Sequence, residues 1–382
     1  MISLELTREQ KKWVETARGV VKEEISPRAL ELDQKGDAEF DWAPVKALAE
    51  CNLVCPTVPR EYGGPGLGHL TTAIVMEEIA AGCAGVAAVV AANMHAAAPI
   101  ILAGTEYQKE TFLVPLVLPE PSVASFALTE PEAGSDVESI NAFAQFENHK
   151  YRLTGRKDFV LNASVAKFIS VFAATTHQQK RSSMRAFIVP NPSSGLVIGQ
   201  NRRKAGIRYA NTSELILDGV EIPERNVIGG DKAGSGYLLL TQAFDRGRAL
   251  VGAIAVGIAR AAYEMALDFA RERIQFGKPI IEHQSVAFAL ADMATKIELA
   301  RLITWKACWL IDQDQDYTTA SSMAKLVTSQ VAQEVTCQAA DILGSRGYLA
   351  NSLADKLVRD ARVLSTIEGT NQIQRAIIAS LL

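Results

Sequence analysis

Cysteine is scarce in this chain and never suggestively spaced. Cys51, Cys55, Cys83, Cys308 and Cys337 are odd in number and show no CxxC pair. That argues against a disulfide framework or zinc site and for reduced thiols in a cytoplasmic protein. The five histidines, His69, His95, His149, His177 and His283, lack metal-ligand spacing, so no metal is expected. There is no basic block: 39 Lys and Arg stand against 43 Asp and Glu, a net charge of −4. A surface that tracks nucleic-acid phosphates is therefore not expected. The Gly63 to Gly68 run follows no strand of a βαβ unit and is not a dinucleotide fingerprint. Met1 to Glu5 shows no signal-peptide layout. One stretch lacks charge altogether, Ala81 to Thr105, and is long enough to span a bilayer. It is rich in Ala and Gly rather than Leu and Ile, and it carries Asn93, His95 and Pro99. It reads as a helix buried in a large bundle, with no membrane span, and His95 reads as a core histidine bonded to backbone.

What is present is a long, apolar chain: 382 residues, 48% of them hydrophobic. That length holds two or three domains or one large multilayer unit. Residues 1–123 read as an N-terminal helical domain. Thr7 can cap a helix running through Val21, Asp41 to Leu53 is amphipathic, Arg60 to Gly66 is a loop, and 71–81 and 86–103 are helical. Residues 124–232 change to short alternating runs: Tyr151 to Thr154, Phe168 to Phe172, Arg185 to Val189 and Glu214 to Leu217. Turn chemistry at Asn191 to Gly195 and at Asp218-Gly219 separates them, as in a β domain. Residues 233–382 return to long helices, Tyr237 to Ile274, Gln284 to Asp312 and Thr318 to Leu343. The fold class is mainly α with a central β domain.

Near the C-terminus stands Ile367-Glu368-Gly369-Thr370-Asn371-Gln372-Ile373-Gln374-Arg375. Thr370 reads as an N-cap, and Gln372 to Leu382 has apolar residues at helical spacing. Glu368 therefore sits at a helix start beside a glycine that lets backbone approach a ligand closely. That suits a base aimed at one C–H bond; read alone, it also fits a solvated helix-start glutamate. A second stretch, Phe126-Ala127-Leu128-Thr129-Glu130-Pro131-Glu132-Ala133-Gly134-Ser135-Asp136, combines a proline-stiffened turn with hydroxyl and amide groups able to face a heteroaromatic ring. Alone it is a plain β-turn.

These two stretches, with Gly155-Arg156-Lys157 and Arg271-Glu272-Arg273-Ile274-Gln275-Phe276-Gly277-Lys278 between them, resemble in content and order the acyl-CoA dehydrogenase flavoprotein family. The resemblance covers essentially the whole chain. It implies an N-terminal helical domain, a middle β-barrel and a C-terminal four-helix bundle, with FAD as cofactor and an acyl-CoA as substrate. By that resemblance Phe126, Leu128, Thr129 and Ser135 contact the flavin ring or the thioester, and Phe159 covers one flavin face. Arg273, Gln275, Phe276 and Gln284 hold the pyrophosphate and adenosine of the FAD of a neighbouring subunit, which implies a homo-oligomer, a tetramer by preference. Thr370 and Gln372 add FAD contacts at a helix N-terminus, where free N–H groups favour an anion. Phe244, Asp245 and Arg248 line the pantetheine arm and CoA entry; Ser135 and Gly369 complete the substrate positions. Glu368 takes the α-proton while the β-hydrogen leaves as hydride to flavin N5. The thioester oxygen is held by the backbone N–H of the base residue and a ribityl hydroxyl. Electrons pass to an electron-transfer flavoprotein. Some relatives place the base on the long helix, where Asp245 is the only carboxylate of Phe244 to Arg248.

The chain departs from the family pattern in three places. Leu161 stands where a threonine usually bonds flavin N5 and O4. Asp341-Ile342-Leu343-Gly344-Ser345-Arg346-Gly347 replaces a usual Gln-x-x-Gly-Gly-x-Gly, which bears on the adenine-side positions Asp341 and Ser345. Ile367 replaces a residue that is often aromatic, beside the Ala-rich stretch from Val90 to Ala98, leaving room for a bulky, branched or cyclic acyl group. Two alternatives stay open: an acyl-carrier-protein thioester dehydrogenase or acyl-CoA oxidase variant, and a non-catalytic scaffold that binds FAD and acyl-CoA.

Overall fold

The first helix begins with a reciprocal cap. Thr7 Oγ1 accepts from the Gln10 N–H while the Gln10 side chain accepts from the Thr7 N–H, which fixes the start of α1 (Arg8–Val20). A computed structural model describes residues 5–36, 40–178, 180–230 and 235–382. Met1 to Leu4, part of the stretch searched for a leader, and the boundary drawn between 232 and 233 lie outside the described residues.

Short elements follow, α2 (Ala29–Gln34) and α3 (Ala43–Glu50). The second is shorter than its amphipathic pattern because Asn52 turns left-handed (φ 58°). The Leu53 N–H then folds back onto the Leu48 carbonyl, the usual way a helix ends on an αL residue. The Arg60 to Gly66 loop contains one 3₁₀ turn, Arg60–Tyr62. Next come α4 (His69–Gly82), α5 (Ala84–Ala103) and α6 (Glu106–Phe112). Extended backbone at Cys83 separates α4 from α5. Asp312, from far along the chain, accepts the His69 and Leu70 N–H groups at 2.5 and 2.9 Å and so caps α4.

The charge-free helix α5 is interior. Asn93 donates to the Val54 carbonyl (3.0 Å) and accepts from the Ala124 N–H (2.8 Å), so its buried amide is paired. By length and composition α5 and the later helix Ser235–Glu272 are apolar enough to cross a bilayer, but 67% of the relevant window of each is buried within the protein.

The strands are β1 (Val123–Ala127), β2 (Phe143–Glu147), β3 (Lys150–Leu161), β4 (Ala166–Ala174), β5 (Met184–Pro190), β6 (Leu196–Asn201), β7 (Thr212–Pro223) and β8 (Val227–Ile228). A single helical turn, α7 (Lys180–Ser183), precedes β5. They form one eight-stranded sheet in the order β6-β7-β3-β2-β4-β5-β8, with β1 parallel to β4. The four alternating runs in the sequence fall within β3, β4, β5 and β7, at the centres of β4 and β5 and in the first halves of the longer β3 and β7. Alternation along β3 and β7 turns Leu153, Leu215 and Leu217 inward onto Val171 and Phe187, a core separate from that of the helices.

The C-terminal part is helical: α8 (Ser235–Glu272), α9 (Gln284–Asp312), α10 (Thr318–Leu343), α11 (Leu353–Val363) and α12 (Asn371–Ser380). Helix α8 ends two residues before the sequence pattern does, because the chain turns into a hairpin, β9 (Ile274–Gln275) and β10 (Lys278–Pro279). Its tip, Phe276 and Gly277, is left-handed at both positions (φ 54° and 79°), the geometry that matches strand twist. Helices α8 to α11 pack together, and α4 and α5 lie against α8. Buried ion pairs join these layers: Glu78 to Arg260 (2.7 Å) and Glu77 to Arg301 (2.9 Å).

Candidate active site

Between α5, α8 and the loop that follows α11 lies a cleft open to solvent. Its walls include Met94, His95 and Ala98 of α5, Ala243 and Gly247 of α8, and Glu368. Glu368 is left-handed (φ 55°) and Gly369 follows at φ 84°. A non-glycine residue held there costs about 1–3 kcal/mol, so its surroundings must over-determine it. They do. The Glu368 carbonyl accepts from Arg248 Nε (3.4 Å) and Gln374 Nε2 (3.0 Å). The Gly369 carbonyl accepts from Lys325 Nζ (2.7 Å) and Gln374 Nε2 (3.0 Å). A Cβ on Gly369 would stand 2.9 Å from Gln374 Nε2, so this position needs glycine. Thr370 caps α12 by accepting from the Ile373 N–H (3.2 Å).

At the carboxylate, Oε1 lies 2.8 Å from His95 Nδ1. Oε2 is buried without a hydrogen-bond partner among the described residues. No acceptor among them pairs with the Glu368 N–H either. Gly247 faces this group: a Cβ there would sit 3.2 Å from Oε2 and 3.5 Å from His95 Cε1.

Behind the loop, Arg248 Nη1 pairs with Asp245 Oδ1 at 2.5 Å, and Asp245 Oδ2 accepts from the Thr318 hydroxyl at 2.8 Å. Burial raises the Asp245 carboxyl and lowers the Arg248 guanidinium from their ordinary values. Both oxygens of Asp245 are engaged, so it is not poised as an alternative base. Lys325, fully buried, is pushed down to about 8 by burial, with Arg248 adding to the shift and Glu368 opposing it.

A second wall comes from the entrance to the sheet. Phe126 stacks on His95 (4.1 Å, 18°), and Phe244 meets both rings edge-on. Glu130 is buried and accepts the Asn141 and Ala142 N–H groups and Lys157 Nζ (2.8 Å). Lys157, also buried, donates to the Leu128 carbonyl (2.9 Å), and the Asp158 N–H donates to the Thr129 carbonyl (2.8 Å). These bonds clamp Leu128 and Thr129 to β3. The turn reading of Glu130 to Gly134 holds for the backbone, but it missed the buried carboxylate inside. Phe159 projects from a bulge in the β3–β7 pairing, left-handed at φ 54° and 62% exposed. A large apolar ring held in strained backbone and left open fits a planar heteroaromatic partner.

Three family profiles match the chain in order. They are the acyl-CoA dehydrogenase N-terminal domain over residues 7–120, the middle domain over 125–220 and the C-terminal domain over 234–382. The chain belongs to the acyl-CoA dehydrogenase family. A cyclohex-1-ene-1-carbonyl-CoA dehydrogenase of Geobacter metallireducens is 38% identical over 97% of each chain. Butyryl-CoA dehydrogenase from Megasphaera elsdenii superposes with a TM-score of 0.95, 34% identity and coverage of 100% of this chain and 99% of that one. A chain solved in work on the electron transferring flavoprotein of Acidaminococcus fermentans gives 0.96 and 34%, covering 100% of both. This acyl-CoA dehydrogenase is accordingly an oxidoreductase, and its cofactor is FAD.

The remaining residues singled out by family resemblance lie elsewhere on this acyl-CoA dehydrogenase. Arg273, Gln275 and Phe276 are exposed around the α8–α9 hairpin, Phe276 at 94%, and Gln284 is exposed at the start of α9. Asp341 and Ser345 are exposed at the end of α10; Ser135 and Gln372 are exposed too. None of these lines the cleft. Leu161 is partly buried, and its carbonyl accepts from the Ser125 hydroxyl. His95 is a correction: it is bonded not to backbone but to Glu368. The sequence does not single out Lys157, Lys325 and Gln374 as supports; a lone charge in an otherwise uncharged helical run, as at Lys325 within 318–333, is the available signal.

Proposed function

We propose that Glu368 removes the α-proton of an acyl-CoA thioester bound in the cleft, as the base of this family's dehydrogenation. The observation that carries this reading is Glu368 Oε2, buried, unpartnered and facing the space between α5 and α8. The unengaged Glu368 N–H supports a role as donor to the thioester oxygen, where negative charge grows as the proton leaves. Phe126, Leu128, Thr129 and Ser135 would contact the flavin ring or the thioester and Phe159 would cover one flavin face, with Thr370 and Gln372 toward the rest of FAD. When bound, FAD supplies the acceptor for the β-hydride. Fixing the base loop with Arg248, Lys325 and Gln374 keeps the carboxylate aligned before substrate arrives. Phe244, Asp245, Arg248 and Gly369 would border the thioester and its pantetheine arm.

Exposure of Arg273, Gln275, Phe276, Gln284, Asp341 and Ser345 away from the cleft supports FAD held across a boundary between copies, in a homo-oligomer. An electron-transfer flavoprotein as electron acceptor is supported by the structural neighbour solved in the study of such a protein. Small side chains at Ala91, Ala98 and Ala243 support a bulky, branched or cyclic acyl group. The relative named for a cyclohexenyl thioester agrees with that choice.

Anaerobic mixing of the FAD-loaded protein with straight, branched and cyclic acyl-CoAs tests the reading. At least one should bleach the flavin absorbance, fastest among the bulky members; a protein that no acyl-CoA bleaches refutes it. Leu161 offers no hydroxyl to the flavin, so comparing peroxide formation with dye reduction separates an oxidase variant. Gly247→Val should crowd Oε2 and displace it from the reacting bond, lowering kcat/KM roughly 10–100-fold, about 1.4–2.7 kcal/mol of lost transition-state stabilisation. An unchanged value would place the substrate elsewhere.

A further inference from the structure

We propose that His95 is the positioning partner of the base: its Nδ1–H donates to Glu368 Oε1 and so reserves Oε2 for the substrate proton. The inference rests on Glu368 being the base, and it assigns a role to a residue on a different element, α5.

The geometry is specific. Nδ1 is 2.8 Å from Oε1. A carboxylate can only accept, so Nδ1 carries the hydrogen, and in the neutral ring Nε2 then holds the lone pair. The ring cannot swing freely, because Phe126 stacks on one face and Phe244 closes against it at 5.3 Å and 72°. His95 is 8% exposed and is the only ionisable side chain of α5. A buried polar ring in an otherwise apolar helix is costly unless it is paired. Its Nε2 has no partner among the described residues, so the bond to Glu368 is its one compensation.

The proton inventory is simple. In the neutral state the substrate proton arrives on Oε2 and stays there, and the His95 proton does not move. The resulting carboxylic acid still accepts at Oε1. A second proton on Nε2 would change this, since an imidazolium facing the carboxylate stabilises its ionised form and weakens it as a base.

The other charges around Glu368 differ in placement. Arg248 of α8 touches its backbone carbonyl, and Lys325 of α10 touches that of Gly369. Asp245 is tied to Arg248. From α8 Arg246 lines the cleft, bonded to the Tyr317 hydroxyl, and from α4 His69 lines it, 3.5 Å from Asp312. The loop and α12 present only the neutral Gln374. Among these, His95 alone is paired with the carboxylate itself, at 2.8 Å.

The test uses FAD-loaded His95→Asn and His95→Leu beside wild type, with flavin bleaching followed by stopped flow at neutral pH. His95→Asn keeps a donor near Nδ1 and should hold the rate within about threefold. His95→Leu should lose roughly 10²-fold in bleaching rate with thioester affinity little changed. Carbon-13-labelled histidine rings give a readout apart from activity: the ring resonance absent in His95→Asn must shift in Glu368→Gln. If His95→Leu matches wild type in rate, or that resonance ignores Glu368→Gln, the inference is overturned. Should Glu368→Gln itself bleach like wild type, the reading beneath it fails instead. Flavin content of each variant reports folding, and the His95 ring resonance in wild type against Glu368→Gln remains decisive if His95→Leu does not fold.

Discussion

Glu368→Gln should slow flavin bleaching by an acyl-CoA about 10²–10⁴-fold, the range a positioned general base contributes. The protein should stay yellow and keep its thioester affinity. Glutamine matches glutamate in shape, and its carbonyl can still accept from His95, so the loop geometry has no reason to change. The bonds that hold the loop come from the backbone carbonyls of residues 368 and 369, to Arg248, Gln374 and Lys325, and they survive the substitution. Only the capacity to take a proton is lost. A variant that bleaches at the wild-type rate would move the base elsewhere. Asp245 would be a poor successor, with one oxygen on Arg248 and the other on Thr318.

Lys157→Met should produce the largest loss of stability, about 3–5 kcal/mol, because it leaves the Glu130 carboxylate buried beside an apolar chain. The pair is almost entirely out of water, with side chains 0% and 3% exposed. The same change removes the donor to the Leu128 carbonyl, so weaker FAD retention should accompany the lower thermal and guanidinium midpoints. Adding Glu130→Gln should recover part of the loss, since the stranded charge is then gone. A single variant within 1 kcal/mol of wild type, on the scale of a surface substitution, would mean that the pair is not buried as described.

The pH dependence has a defined sign. Burial pushes Lys157 down from 10.5 to about 8, against the pull of Glu130. Between those values the unfolded chain holds more proton than the folded one, so the contribution of this lysine to stability rises with pH across that window. It is fully present above 10.5 and is lost as pH falls through about 8. The stability difference between wild type and Lys157→Met should therefore grow from pH 8 to pH 10. A difference that shrinks over this interval contradicts the assignment.

Much of the architecture is local and so could be read from the chain. The ends of α9 and α10 coincide with the sequence pattern, Thr7 and Thr370 cap the helices that follow them as their positions predict, and the alternating runs fall within strands. Each depends on residues within a few positions of one another, where capping and periodicity act. The ends that shifted, at Asn52 and at the hairpin after Glu272, depend on left-handed residues whose pattern overlaps that of a continuing helix.

The sequence by itself determined which residue types were available for chemistry: a carboxylate beside Gly-Thr, an aromatic-bearing turn motif, and the order in which they occur. Tertiary structure alone decided who faces whom. His95 against Glu368, Lys157 against Glu130 and Lys325 against Gly369 are contacts between distant parts of the chain. Nothing local distinguishes a histidine bonded to backbone from one bonded to a carboxylate. Exclusion of water settles it, because a buried polar atom must find its partner among the groups that packing brings near.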